Sequence, residues 1–170
     1  MSPTKKALII GISGCSSSGK STLARLLREI WPGTFILHED DFYWPEGKIP
    51  IKNGVLDWDC LEAIDLSSFR QALEYIQDHG TSPPDLRSKE DQNALGESHV
   101  DRDVVIKWQQ KVRDIVTGGG HVRPIAIVDG FLLYSRNMKE IWELLDIRLF
   151  LRTRYERDRA SAYEKAPKPP

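Results

Sequence analysis

The stretch Gly14-Cys-Ser-Ser-Ser-Gly-Lys-Ser-Thr22, directly after the apolar run at 7–13, constrains this chain more than any other. Gly14 and Gly19 bracket Cys15, Ser16, Ser17 and Ser18, the spacing at which backbone N–H groups turn inward around a chain of phosphates. Lys20 brings a point charge to that loop, and Ser21, followed by Thr22, brings a hydroxyl that can ligate magnesium. Leu23, Leu26, Leu27 and Ile30 recur at helical spacing, so a helix opening at Ser21 aims its N-terminus at the anion. A plain Gly/Ser-rich connector has similar letters. An apolar strand before the stretch and an amphipathic helix after it are the context that favours phosphate binding. What the phosphates are for remains to be read elsewhere: a switch, a motor, or a donor of a phosphoryl group.

The bulk properties narrow the field. With 170 residues, 40% of them hydrophobic and 29% charged, the chain is expected to form one globular domain over 1–170. A formal net charge of -1 gives no electrostatic reason to expect nucleic acid or an anionic membrane as partner, which leaves small molecules as the default. Cys15 and Cys60 are the only cysteines, so neither a disulfide framework nor a zinc site is suggested. The first residues lack the apolar stretch of a secretory signal, and no apolar run is long enough to span a membrane. A cytoplasmic, reducing setting is expected, with the nucleus as a second compartment, and the chain is expected to act as a monomer.

Strand and helix signals alternate: strand 7–13, helix 21–30, strand 35–38, helix 66–79 with Asp65 as N-cap, helix 104–116 with Asp103 as N-cap, strand 125–128, helix 138–145 and strand 147–151. Such alternation predicts an α/β fold with a parallel sheet flanked by helices. Between 80 and 102 the sequence turns polar and reads as an exposed loop or insertion. The segment 152–170 is rich in arginine and ends in prolines.

Three further constellations carry chemistry. The apolar run 125–128 ends in Asp129-Gly130, a carboxylate at the sheet edge where parallel strands place ligands and where phosphate-loop proteins hold magnesium. His38-Glu-Asp-Asp-Phe-Tyr43 lies just past the second strand, on the same edge. A carboxylate there fits the role of proton acceptor for a hydroxyl under attack, a solvated turn being the plainer reading, and His38 reads as structural. Trp58-Asp59, after a turn at Asn53-Gly54, reads either as an aromatic plane beside a diol-binding carboxylate or as a packed Trp with a helix N-cap. Arg152, Arg154, Arg157 and Arg159 read either as a charge-neutralising lid or as a solvated helix face.

In order and spacing, Gly14-Cys-Ser-Ser-Ser-Gly-Lys-Ser21, Asp40-Asp-Phe-Tyr43, Leu56-Asp-Trp-Asp-Cys-Leu-Glu-Ala63 and Val128-Asp-Gly-Phe-Leu-Leu-Tyr134 resemble nicotinamide riboside kinase, a relative of uridine kinase. The resemblance covers most of 7–151 apart from the polar stretch. It implies a P-loop kinase that uses ATP and Mg2+ to phosphorylate the 5′-hydroxyl of a riboside. ATP phosphates would lie on residues 14–22, magnesium near Ser21 and Asp129, and the acceptor hydroxyl against Asp40. Asp59 would bind ribose hydroxyls, with Tyr43, Trp58 and Tyr163 at the base and Arg159 on the nucleotide. A cationic pyridinium over an aromatic face gains from the ring quadrupole.

This chain also departs from the family's pattern. The family commonly has glutamate where Asp129 stands, which favours metal ligation through water here. The family's lid is longer, and after the position of Pro170 it continues with an aromatic-rich segment, a helix and a last strand. These 170 residues are therefore expected to be a version with its C-terminal part truncated, less stable and less active than one extended by that segment. Uridine or another nucleoside is the near alternative substrate, and a catalytically impaired nucleotide-binding paralogue the more distant one. A GTP-binding switch is disfavoured, because no guanine-reading Asn-Lys-x-Asp stretch occurs.

Overall fold

The structure, a computed structural model, describes residues 5–88, 100–119 and 123–152. Arg154, Arg157, Arg159 and Tyr163 of the expected lid lie outside them. Four strands, β1 (Leu8–Gly14), β2 (Phe35–His38), β5 (Ile125–Asp129) and β6 (Ile147–Leu151), form a parallel sheet in the order β2-β5-β1-β6. β3 (Ile51–Lys52) and β4 (Val55–Leu56) make a separate small hairpin. Its turn, Asn53-Gly54, has φ values of 53° and 80°, the paired left-handed conformation that suits a two-residue hairpin connection.

Both faces of the sheet are covered, which is why its central strands read as apolar runs rather than alternating ones. On one face Ile12, Ile36 and Ile127 pack against Ala24, Leu23 and Leu27 of α1 (Lys20–Ile30). On the other, Ile9, Leu37, Ala126 and Val128 meet Phe69, Leu73 and Ile76 of α2 (Leu66–His79), together with Leu133, Met138, Ile141 and Leu145. Full burial of each such large apolar side chain contributes about 1.5–3 kcal/mol. Asp65 caps α2 as expected, accepting from the Ser68 N–H at 3.1 Å. α3 (Arg102–Thr117) lies against α1, where Arg102 pairs with Glu29 and Gln109 Nε2 donates to the Glu29 carbonyl.

Two boundaries differ from the sequence expectation. The cap of α3 is Asp101, which accepts from the Asp103 N–H at 3.1 Å, so the helix begins before the residue expected to cap it. The helix expected over 138–145 is a 3-10 turn (Arg136–Met138) and a single α-turn, α4 (Lys139–Trp142). Beyond Trp142 the chain is drawn toward β1: Asp146 N donates to the Ile9 carbonyl at 2.8 Å, and the Asp146 carboxylate accepts from Ile9 N at 2.9 Å. Tertiary pairing overrides the helical pattern there. The edge strand β6 leaves Ile147, Leu149 and Phe150 exposed. Among the described residues no helix is long and apolar enough to cross a membrane.

Candidate active site

Parallel strands deliver their C-terminal ends to one edge, and here the register aligns three of them. Asp129 of β5 stands opposite Ile12 of β1 and His38 of β2. The segments that leave these strands, residues 14–19, 39–42 and 130–134, therefore emerge side by side, where ligands of open α/β sheets bind.

The first segment turns sharply. A Cβ at Gly14 would stand 2.5 Å from the Leu151 carbonyl oxygen, so only glycine lets β1 leave the sheet beside β6. Ser17 adopts φ 62°, and α1 begins at Lys20. The Lys20 ammonium curls back over the loop and donates to the Cys15 carbonyl at 2.8 Å. Ser18 Oγ is enclosed without a hydrogen-bond partner among the described residues. A helix N-terminus, a lysine folded over it and a buried hydroxyl with unused capacity fit an anion with many acceptor oxygens.

The segment after β5 is tied down along its length. Gly130 N donates to the Ile12 carbonyl at 3.2 Å, Ser13 Oγ to the Phe131 carbonyl at 3.3 Å, and Tyr134 Oη to the Gly11 carbonyl at 2.7 Å. Asp129 is thereby fixed at the strand end, 6% exposed, with His38 Nδ1 3.5 Å from its Oδ2. His38 is itself buried, in keeping with its structural reading. Among the described residues no cluster of three or more His, Cys, Asp or Glu is arranged to hold a metal. Magnesium does not require one, since it takes one or two carboxylates and completes its shell from phosphates and water. Asp129 at the strand end, with Ser21 on the first turn of α1, is a donor set that fits it.

The turn after β2, a 3-10 segment (Glu39–Phe42), points its acidic residues in different directions. Asp40 is exposed toward the edge, whereas Glu39 is wholly buried and its carboxylate accepts from Leu132 N at 3.2 and 3.3 Å. Burial pushes the Glu39 carboxyl up from an ordinary 4.5 to about 8; the Leu132 N–H opposes this, Asp40 adds to it, Lys20 opposes it and Asp129 adds to it. Between those values the folded chain holds a proton that the unfolded chain has released. The penalty for burying Glu39 therefore grows as pH rises through this window. The expected result is that Glu39→Gln raises the unfolding midpoint relative to the unmutated chain more at about pH 8 than at about pH 5. Thermal melts of both proteins across that range check it, and a gap that shrinks with pH would contradict it.

Glu39 was not among the sequence candidates. Three consecutive carboxylates, Glu39, Asp40 and Asp41, look alike in the letters, and only the course of the turn separates the buried one from its neighbours. The closest thing to a sequence signal is Gly130 after the strand-ending Asp129, because the glycine makes room for the carboxyl.

Next, Phe42, Tyr43 and Trp44 run alongside residues 63–65. Trp44 N donates to the Ala63 carbonyl, Asp65 N to the Phe42 carbonyl, and Tyr43 bridges Ile64 in antiparallel fashion. The 45–62 excursion is thus closed at its base into a flap around a small core of Ile49, Cys60 and Ala63, with Tyr43, Trp44 and Leu56 packed on it. Trp58 meets Tyr43 edge to face, ring centroids 5.3 Å apart, and keeps 38% of its surface exposed. Burial, then Asp40, Glu39 and Asp59, raise the Tyr43 hydroxyl above its ordinary value, so Tyr43 stays protonated and lies within the field of both aspartates. Asp59 caps no α-helix, the cap of α2 being Asp65, and its backbone N–H donates to Asp57 Oδ1. Of the two readings of Trp58-Asp59, the N-cap one is therefore not what forms. Arg159 and Tyr163 lie outside the described residues.

Comparison with known proteins places this arrangement. No family model matches the chain. Over 153 residues, 90% of this chain and 64% of the other, it is 42% identical to a nicotinamide riboside kinase of Schizosaccharomyces pombe. It is 30% identical to one of Saccharomyces cerevisiae over 90% of this chain and 63% of that one. To nicotinamide riboside kinase 1 of Homo sapiens it is 31% identical over 81% of this chain and 56% of that one. The chain thus spans less than two thirds of the length of these relatives. In fold it is similar to the structure of a possible uridine kinase from Bacillus stearothermophilus, with a TM-score of 0.51 and 19% identity over 95% of this chain and 84% of that one. Over nine tenths of its length the chain is thus similar in sequence to part of the nicotinamide riboside kinases, and in fold to a possible uridine kinase.

Proposed function

We propose that the chain transfers the terminal phosphoryl group of ATP to the 5′-hydroxyl of nicotinamide riboside, forming nicotinamide mononucleotide and ADP, a step of NAD salvage. Residues 14–22 cradle the donor phosphates and Lys20 neutralises charge on them. Asp40 accepts the hydroxyl proton as the new O–P bond forms and the bond to the departing ADP oxygen breaks. Ser21 and Asp129 would hold magnesium, directly or through water, and it would supply further neutralisation of the phosphates. Tyr43 and Trp58 flank the pyridinium, and Asp59 takes the ribose diol. Arg159 and Tyr163, which lie outside the described residues, contact the nucleotide and the base in this reading.

The observation that carries this reading is the flap. Its closure at Tyr43–Ile64 holds Tyr43 against Trp58 and within the electrostatic reach of both Asp40 and Asp59, near the edge from which residues 14–19 emerge. The similarity to proteins named as nicotinamide riboside kinases supports nicotinamide as the base. The test is to incubate the purified chain with ATP, magnesium and a panel of nicotinamide riboside, uridine, cytidine and deoxyribosides, reading product mass. Phosphorylation of nicotinamide riboside ahead of the others is expected. Preference for uridine would reassign the substrate, and no product from any riboside would remove the kinase reading.

Asp59 gives a sharper check. Losing a charge-assisted hydrogen bond to the diol raises KM for nicotinamide riboside by about 10- to 100-fold in Asp59→Ala, with kcat changed far less. The same variant should narrow the gap between ribosides and deoxyribosides. Equal turnover of both sugars by the unmutated chain would remove this role from Asp59.

A further inference from the structure

Glu39 is a buried ionisable group that the proposed reaction does not use, and its surroundings give it a function. Its carboxylate accepts the Leu132 N–H through both oxygens, at 3.2 and 3.3 Å. It lies so close to Gly130 that a Cβ there would stand 1.9 Å from Glu39 Oε2 and 2.7 Å from its Cβ. Three other hydrogen bonds of residues 130–134, at Gly11, Ile12 and Ser13, lead to β1. Glu39 instead joins this segment to the end of β2, one residue before Asp40. We propose that Glu39 is a positioning residue, whose carboxyl group grips the backbone at 130–132 and thereby fixes Asp40 relative to Asp129 and the phosphate-binding loop.

The inference rests on the kinase reading for its purpose and on geometry for the grip. Misplacement of a reacting group by about 1 Å lowers a rate by about 100-fold even when nothing that touches substrate is removed. What the grip requires is an acceptor of the right length. Negative charge is dispensable to it, and this separates a positioning role from that of a base or metal ligand.

The experiment compares the unmutated chain with Glu39→Ala, Glu39→Gln and Gly130→Ala. It measures kcat and KM for both substrates, ATP affinity, thermal midpoint and hydrogen exchange at the Leu132 amide. Glu39→Ala is expected to lower kcat about 10- to 100-fold with ATP affinity within about threefold of the unmutated chain, and to speed Leu132 exchange at least tenfold. Glu39→Gln, whose amide oxygen still reaches Leu132, should restore kcat to at least a third. Gly130→Ala should reproduce the loss, because its methyl group evicts the carboxyl from its place.

A Glu39→Gln variant as impaired as Glu39→Ala would overturn the proposal, since charge and not length would then matter. So would unaltered kcat in Glu39→Ala. If Glu39→Ala fails to fold, the Glu39→Gln and Gly130→Ala pair decides on the same criteria. An unmutated chain that turns over no riboside would remove the proposed function and the catalytic purpose of the grip. Unaltered Leu132 exchange in Glu39→Ala would remove the grip alone.

Discussion

Lys20→Ala should lower riboside phosphorylation by at least about a thousandfold while leaving the fold intact. The size of the effect follows from where the charge sits. Phosphoryl transfer offers little covalent chemistry for a protein to perform, so catalysis comes from positioning and from neutralising charge that spreads over the transferred group. The ammonium already curls over residues 15–19, bonded to the Cys15 carbonyl at 2.8 Å, so its side chain spans the cradle in which phosphates are proposed to lie. Removing it deletes a cation at the proposed reacting centre and none of the apolar contacts of α1, which Leu23, Ala24 and Leu27 make. The thermal midpoint should therefore move little. Turnover near that of the unmutated chain on any riboside would take the phosphate-loop reading away entirely. Loss of activity together with loss of folding would instead place Lys20 among structural residues.

How much of this was legible in the letters depends on how local each feature is. The strands β1, β2 and β5 were readable because a sheet covered on both faces needs short apolar runs, and such runs stand out between polar connections; β6 carries similar letters although it lies exposed at the edge. The turn at 14–19 and the helix that follows it were readable because their geometry is encoded within nine consecutive residues. The α4 boundary was misread because the periodicity of 138–145 is a local property, whereas the two bonds between Asp146 and Ile9 are not. Trp58-Asp59 stayed ambiguous for the same reason. Its surroundings are set by the pairing of Tyr43 with Ile64, twenty-one residues apart, which no short pattern announces. Glu39 was invisible because its burial depends on a glycine ninety-one positions away.

Asp40→Asn is expected to cut kcat by about two to four decades, the range for losing a positioned proton acceptor, while ATP affinity barely changes. Asparagine keeps the size of the side chain and one acceptor oxygen, so it can still orient a hydroxyl. It cannot take the proton that must leave as the O–P bond forms. ATP affinity should be insulated because the donor phosphates are proposed to rest on residues 14–22, a different segment that leaves a different strand. Collapse of ATP binding in Asp40→Asn would move Asp40 from the acceptor side to the magnesium shell. The neighbouring carboxyl sharpens the comparison: Glu39 and Asp40 are adjacent in sequence, yet one is buried against Gly130 and the other exposed at the sheet edge. If position is Glu39's contribution and proton transfer is Asp40's, the carboxamide rescues the first and disables the second. Opposite responses to the same chemical change at consecutive residues could not arise from a general loss of stability, because both substitutions remove one carboxyl group from the same short turn.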